Sequence, residues 1–131
     1  MSVTDPGTIA HLTVPARADQ LAICRLALAG VAAGLDVGDQ ALDDLKLVLS
    51  ETCSNAIEHG YGGGEGTIEI EFRVQDEALE VRVVDRGRGM PASPGHGMGM
   101  TVLEKLCTRW SLAAPDGGPG TAVTFARRLP A

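Results

Sequence analysis

Two glycine-rich segments are the first candidates for chemistry in this sequence of 131 residues. The chain has 17 glycines, about twice the average usage, and five of them fall between Gly60 and Gly66 and five between Gly87 and Gly99. Glycine allows positive φ or a close backbone approach that a side chain would prevent. The second segment runs into a predicted helix, whose free N–H groups and dipole favour a phosphate. Both segments are therefore candidate ligand-binding loops.

A row of polar residues precedes the first of these segments. Glu51, Asn55 and His59 are spaced four apart, so in a helix they stack on one row beside its apolar stripe. A row of this kind is commonly just a solvated helix edge. Asp85 closes a predicted strand, where aspartate is commonly a turn-former. What singles these residues out is their order along the chain together with the glycines.

The standard nucleotide-binding and hydrolase patterns are absent from the sequence. It contains no GxxxxGK[ST], HExxH or GxSxG, and Gly95, Gly97 and Gly99 do not complete GxGxxG because position 100 is Met. The glycines therefore do not form a phosphate-binding loop of these types.

Hydrophobic periodicity predicts three helices and five strands. Asp39 is the expected N-cap of the second helix, and Gly60 lies just past its end. A stripe of this helix faces the core and consists of Leu42, Leu45, Leu49, Thr52, Cys53 and Ala56. The predicted elements, in chain order, are a strand at 8–14, helices at 18–33 and 39–59, strands at 67–74 and 79–84, a helix at 100–107, and strands at 110–113 and 121–127.

These elements favour one fold class. Five strands joined mostly by hairpins are best covered by three helices on one face of the sheet. The prediction is an α+β fold, a two-layer α/β sandwich with a mixed, mostly antiparallel sheet. The length fits one domain over residues 1–131.

Composition excludes several classes of function. A chain that is 44% hydrophobic and 21% charged has enough apolar surface to fold. Lys and Arg total 11 against 17 Asp and Glu, a net charge of −6, so direct nucleic-acid and membrane-surface binding are not expected. No apolar run approaches the roughly 20 residues of a membrane span, and no export signal is seen. Cys24, Cys53 and Cys107 lack CxxC spacing and fit buried thiols in a reducing cytoplasm.

Four segments taken together resemble the ATP-binding boxes of the GHKL superfamily, which unites histidine kinases, gyrase, a heat-shock chaperone and mismatch-repair ATPases. The resemblance covers about residues 8 to 128, and the first box is most similar to that of the anti-sigma-factor serine kinases of bacterial stress and sporulation control. The four segments are Glu51-Thr-Cys-Ser-Asn55-Ala-Ile-Glu-His59-Gly60-Tyr61, Asp85-Arg-Gly87-Arg-Gly89-Met90, Gly97-Met-Gly99-Met100 and Gly120-Thr121.

The resemblance implies a role for three polar residues. Asn55 would offer its amide oxygen to Mg²⁺, a hard cation that also binds phosphate oxygens. Glu51, one turn earlier, would take the proton from a substrate serine hydroxyl. Asp85 would accept a hydrogen bond from the adenine amino group. ATP and Mg²⁺ are thus the implied cofactors.

The resemblance also assigns the remaining site residues. Gly87 and Gly89 would let the chain lie against the base, and the Thr121 hydroxyl would help to hold the adenine. Gly97 and Gly99 would place N–H groups on the phosphates. His59 matches the wording of the first box and is expected to be structural.

Partners follow from the same resemblance. The family binds a sigma factor and a STAS-type anti-sigma-factor antagonist, and homodimers are common in it. Arg25, expected on the exposed side of the first helix, matches a position that contacts these partners. An ordinary solvated arginine is the alternative.

One departure from the family concerns the lid over ATP. Only the seven residues from Met90 to His96 separate the second and third boxes, and they include no Lys or Arg. Charge cover for the γ-phosphate would have to come from His96, Arg86 or Arg88.

Three functions therefore remain open. The leading hypothesis is an ATP-dependent protein-serine kinase that also binds a sigma factor. The second is a nucleotide-dependent module that binds the sigma factor or antagonist without turnover. The third is a detached histidine-kinase catalytic domain.

Overall fold

A computed structural model describes residues 7–88, 98–116 and 118–130, with the backbone alone at 98–100. The strands and helices follow the predicted order, and most predicted boundaries lie within two residues of the observed ones. The elements are β1 (Thr8–Pro15), α1 (Leu21–Ala33), α2 (Asp39–Asn55), β2 (Thr67–Gln75), β3 (Ala78–Asp85), α3 (Met98–Leu106), β4 (Arg109–Ala113) and β5 (Thr121–Arg128), with a 3₁₀ turn (Ala18–Gln20) before α1 and a π turn (Ala56–Gly60) after α2.

The five strands form one sheet in the order β1-β2-β3-β5-β4. All four pairings are antiparallel, so the predicted fold class is confirmed and the sheet is antiparallel throughout instead of mixed. The reason is that β4 runs in the same direction as β3, but β5 folds back between them and separates the two parallel strands.

The two faces of the sheet differ sharply in polarity. Residues opposite each other in paired strands share a face, and one face carries a continuous apolar surface that packs against the helices. The other face carries charged side chains. The apolar face includes Ile70, Phe72, Val81, Val83 and Phe125, each at most 2% exposed, whereas the charged face includes Glu69, Glu71, Arg73, Glu80 and Arg82.

The start of α2 differs from the prediction. Its N-cap is Gly38, with extended backbone at φ −68 and ψ 160, and Asp39 is the first helical residue. A carboxylate in the first turn interacts favourably with the positive end of the helix dipole. Asp39 therefore acts inside the first turn and does not cap the helix.

The cysteines lie where the sequence predicts. Cys24 on α1 and Cys53 on α2 are buried free thiols, and Cys107 after α3 is partly buried. Burial raises the pKa of the Cys107 thiol to about 11, so this group stays protonated at neutral pH. All three behave as small apolar side chains of the core.

The end of α2 is a π turn where the sequence predicts regular helix as far as His59. The Tyr61 N–H donates to the Ala56 carbonyl at 3.1 Å, five residues earlier. This longer bond widens the turn, so the regular four-residue helical spacing that the sequence predicts does not continue as far as His59. Single π turns inside helices are frequent at functional sites.

Candidate functional site

Asp85 and Thr121 form the last residue pair between β3 and β5. Alternation along β3 places Asp85 on the same face as Val83, the face that packs against the helices. The two side chains are largely buried, with Asp85 5% and Thr121 6% exposed. Asp85 and Thr121 thus lie side by side at the end of the apolar layer, and their assignment to an adenine base stays a prediction.

The Asp85 carboxylate is held by backbone donors. The Gly87 N–H donates to Oδ1 at 3.0 Å, and the Thr121 backbone N–H also donates to the carboxylate. Burial raises the pKa of Asp85 above its ordinary value, and the two N–H groups oppose this rise. The site combines a desolvated acceptor with a position at the end of the sheet, a combination often found in ligand sites.

Glycines surround this carboxylate because there is no space for a Cβ. A Cβ on Gly60 would lie 2.8 Å from Asp85 Oδ1, and one on Gly87 would overlap the Gly60 carbonyl oxygen. Gly120 has a φ of +122, and a Cβ there would overlap the Asp85 carbonyl oxygen. The glycines therefore allow three backbone segments to meet around Asp85.

Glu51 and Asn55 lie on the helix that leads into this meeting point. Asp44 is two turns before Glu51 on the same side of α2, and its carboxylate accepts a bond from Arg127 Nη1 of β5 at 2.6 Å. This side of α2 is therefore turned towards β5. Both Glu51 and Asn55 are half-buried.

The loop after β3 is tied back to the end of α2. The Arg88 N–H donates to the Gly60 carbonyl at 2.9 Å, and Arg88 Nε donates to the His59 carbonyl at 3.0 Å. The Tyr61 hydroxyl accepts from the Arg86 N–H at 2.7 Å. The structure thus brings the first and second boxes into direct contact.

The third box is only partly described. Gly99 lies in the first turn of α3, which begins at Met98, two residues before the predicted start. Gly89, Gly97 and His96 lie outside the described residues. Their assignment to base and phosphate contacts stays a prediction.

Arg25 is not on the exposed side of α1. Its side chain is half-buried, and Nη1 donates to Ser50 Oγ of α2 at 3.3 Å. The exposed side carries apolar residues instead, with Ile23 47% and Leu26 71% exposed. The predicted orientation is wrong because α1 is apolar on almost every side, so its one charge does not set which side faces water.

The two arginines of the second box contact backbone carbonyls in the described part of the chain. Arg86 Nη1 donates to the Asp116 carbonyl at 3.1 Å, and its Nε lies 3.9 Å from Glu69 Oε2. Arg88 bonds His59 as described above. These contacts hold the loop, and charge cover of a phosphate by either arginine stays a prediction.

Sequence reasoning missed the structural roles of Tyr61 and Arg88. Tyr61 stands out only as part of the first box, and Arg88 only as a charge between two glycines. A signal for Tyr61 exists in Gly66, where a Cβ would overlap the Tyr61 ring. An aromatic residue followed closely by glycines can mark a ring packed on backbone.

The described residues offer only a small donor set for a metal. Among the residues that the structure describes, no group of three or more His, Cys, Asp or Glu side chains could bind a metal ion. Mg²⁺ commonly binds through one or two protein groups plus phosphates and waters. The amide oxygen of Asn55 fits such a site.

No helix within the described ranges is long and apolar enough to cross a membrane.

Comparison with known proteins gives a consistent set of relatives. A family model described as the histidine kinase-like ATPase domain matches residues 14–127. The serine-protein kinase RsbW of Bacillus velezensis is 31% identical over 126 residues, which cover 82% of this chain and 79% of that protein. RsbW of Bacillus mycoides is 37% identical over 77 residues, covering 59% of this chain and 48% of that protein. The chain thus spans about half the length of the latter relative.

A solved structure supports the same architecture. The crystal structure of the RsbU and RsbW domains of a Mycobacterium tuberculosis protein matches 92% of this chain and 31% of that chain. The TM-score is 0.65 and the sequence identity is 21%. At this identity the likeness shows the fold alone.

Proposed function

The chain belongs to the histidine kinase-like ATPase domain family, and from this premise we propose that it is an ATP-dependent protein-serine kinase that also binds a sigma factor. One observation carries the proposal. The buried carboxylate of Asp85 lies beside Thr121 and is packed through Gly60 and Gly87 against the end of α2. This helix carries Glu51, the predicted proton acceptor.

The adenine base binds at Asp85 in this proposal. The carboxylate accepts a hydrogen bond from the adenine amino group, and the Thr121 hydroxyl adds a second polar contact. Guanine presents a carbonyl oxygen where adenine presents its amino group, so an acceptor here selects adenine. Gly87 puts no side chain between the backbone and the flat base, and Gly89 takes the same role by the family resemblance.

The phosphates extend from this point towards α2 and α3. Mg²⁺, when bound, neutralises phosphate charge, and Asn55 supplies an amide oxygen to it. The N–H groups of Gly97 and Gly99 bind phosphate oxygens at the start of α3. Glu51, one turn before Asn55, accepts the proton of the attacking serine hydroxyl.

The substrate and partner belong to the same proposal. The phosphorylated protein is a STAS-type anti-sigma-factor antagonist, and its phosphorylation leaves the kinase free to bind the sigma factor in the cytoplasm. Arg25 contributes to the shared partner surface. Its Nη1 donates to Ser50 Oγ, so the guanidinium is already oriented in the free protein. Less side-chain conformational entropy is therefore lost when a partner binds.

A kinase assay tests the proposal. The wild type, supplied with Mg-ATP and a cognate antagonist, should yield phosphoserine. Glu51→Ala should lower the rate by about 100-fold or more, the usual contribution of a general base. Glu58→Ala removes an exposed carboxylate of the π turn and should leave the rate unchanged. ATP binding without transfer to any cognate antagonist would contradict the kinase activity.

A second candidate is a nucleotide-dependent binding module without turnover. It is favoured by the contacts of Arg86 and Arg88 with backbone carbonyls and by the lack of Lys and Arg in residues 90–96. In that case, partner affinity should be equal with ATP and with a nonhydrolysable analogue. Phosphoserine formed in proportion to ATP consumed would exclude it.

A further inference from the structure

Arg88 connects the loop after β3 to the π turn through two successive carbonyls. Its backbone N–H donates to Gly60 and its Nε to His59, at 2.9 Å and 3.0 Å. Carbonyls at the end of a helix lack intrahelical donors and carry partial negative charge. A guanidinium is therefore well suited to hold this end of the helix.

Tyr61 makes a second connection from the same turn. Its hydroxyl accepts from the Arg86 N–H and donates to the Thr67 carbonyl, both at 2.7 Å. The peptide that follows Asp85 is thereby joined both to the residue after the π turn and to the start of β2. The Tyr61 ring packs so closely on Gly66 that no Cβ fits there, which fixes the direction of the hydroxyl.

These two connections lie between the two ends of the proposed nucleotide site. The loop that they hold begins at Asp85, which binds the base, and the π turn continues the helix of Asn55, which binds the metal and phosphates. ATP must contact both ends at once. We infer that Tyr61 and Arg88 are positioning residues that fix the separation between the base-binding and phosphate-binding ends. This inference rests on the proposed function.

Titrations with two ligands of different length test this positioning role. Mg-ATP spans both ends, whereas adenosine contacts the base-binding end alone. Arg88→Gln loses one side-chain hydrogen bond and Tyr61→Phe loses two, so calorimetric titration of each should give an ATP dissociation constant about fivefold or more above wild type. The adenosine dissociation constant should change by less than about twofold, because a base site that is intact but displaced still binds the base.

The variants are chosen to separate positioning from other roles. Tyr61→Phe keeps the ring and every charge, so a loss of ATP affinity in it does not come from a missing cation near the phosphates. Arg109→Gln is the matched control, since Arg109 Nη2 also donates to a backbone carbonyl, that of Gln75, at 3.0 Å. Gln75 lies at the opposite end of the sheet from Asp85, so neither ligand should be affected.

The outcomes distinguish this inference from the proposed function. Equal losses for ATP and adenosine, or wild-type affinities in both site variants, would overturn the positioning role while leaving the kinase proposal intact. Failure of the wild type to bind ATP would overturn the proposed function and this inference together.

Discussion

The Asp85 carboxylate occupies a position where a charge is unfavourable. It is buried at the end of the apolar layer, and desolvation raises its pKa while the N–H groups of Gly87 and Thr121 only partly offset that effect. An adenine amino group would supply a further donor to the same carboxylate. The residue thus costs stability in the free protein and gains a partner when nucleotide binds, a trade-off typical of functional residues.

The raised pKa of Asp85 predicts how ATP affinity depends on pH. The ionised carboxylate is the stronger acceptor, so affinity should fall as pH drops through the folded-state pKa, which lies above the ordinary value of 3.8. Calorimetric titrations of Mg-ATP over this range measure the effect. Asp85→Asn should bind weakly and without this pH step.

The folding stability contributed by Asp85 should fall as pH rises, whereas ATP affinity should rise. A folded-state pKa above the unfolded value means that the folded protein binds the proton more tightly, so the contribution of Asp85 to stability declines as pH rises from 3.8 to the folded-state value. If wild type and Asp85→Asn show the same pH dependence of ATP affinity, the group that titrates is not Asp85.

At the scale of elements, α2 connects the core of the sheet to the site. Its stripe of Leu45, Val48 and Leu49 is at most 1% exposed. Asp44, on its polar side, bonds Arg127 of β5 at 2.6 Å. The helix is thereby oriented at one end by an ion pair and at the other by the contacts of its π turn.

Removing the charge of Asp44 should loosen the connection between α2 and β5. The hydrogen bond from the Arg127 guanidinium lowers the pKa of Asp44. A charge-assisted bond of this kind is worth about 1.5–3 kcal/mol. Solvent screening reduces it at this partly exposed position, so Asp44→Asn should lower the free energy of unfolding by at most about 2 kcal/mol. Urea denaturation should show the full loss above pH 3.8, with the difference from wild type vanishing as pH falls through the lowered pKa.

A double-mutant cycle provides the control for this pair. Arg127→Gln alone, Asp44→Asn alone and the double variant give the coupling energy. Additive losses would show that the two side chains stabilise the protein independently, contrary to the prediction.

The sequence predicts the elements well because each carries its own periodicity. The β2–β3 hairpin is clear from alternation, and its turn is tighter than predicted, with Asp76 and Glu77 both at positive φ in the manner of a two-residue hairpin turn. The orientation of α1 could not be predicted, because a helix with an exposed Leu26 and a half-buried Arg25 reverses the usual preference.

The residues of the site can be predicted from the sequence, but the contacts between the elements that carry them are harder to predict. Asp85, Thr121 and Gly87 meet as expected from their boxes. The π turn does not follow from periodicity, and its His59 carbonyl accepts a bond from Arg88 of a loop distant in sequence. Periodicity describes each element separately and gives no information about contacts between a loop and the end of a distant helix.

At the scale of the whole molecule, the proposed site can form only in the folded chain. Its parts come from α2 and the π turn, from the end of β3 and from the start of β5, which lie far apart in sequence. A ligand that contacts all of them binds the folded state and not the unfolded one. ATP should therefore stabilise the entire fold by mass action.

This linkage predicts that ATP partly rescues a damaged core. Phe125 is 0% exposed and lies opposite both Val81 and Trp110 in the sheet, so Phe125→Ala should cost about 3–5 kcal/mol. Mg-ATP at about a hundredfold excess over its dissociation constant should restore about 2.7 kcal/mol. Thermal unfolding of the variant with and without Mg-ATP measures this recovery.

The same experiment on the double variant Phe125→Ala, Asp85→Asn separates site binding from nonspecific effects of nucleotide. Asp85 lies on the same sheet face as Phe125 but four residues beyond its partner Val81 along β3, so the two substitutions act at different places, one in the core and one at the site. Recovery should disappear in the double variant because the base no longer binds. If Mg-ATP stabilises both variants equally, the stabilisation does not pass through Asp85, and the adenine site must be sought elsewhere on the molecule.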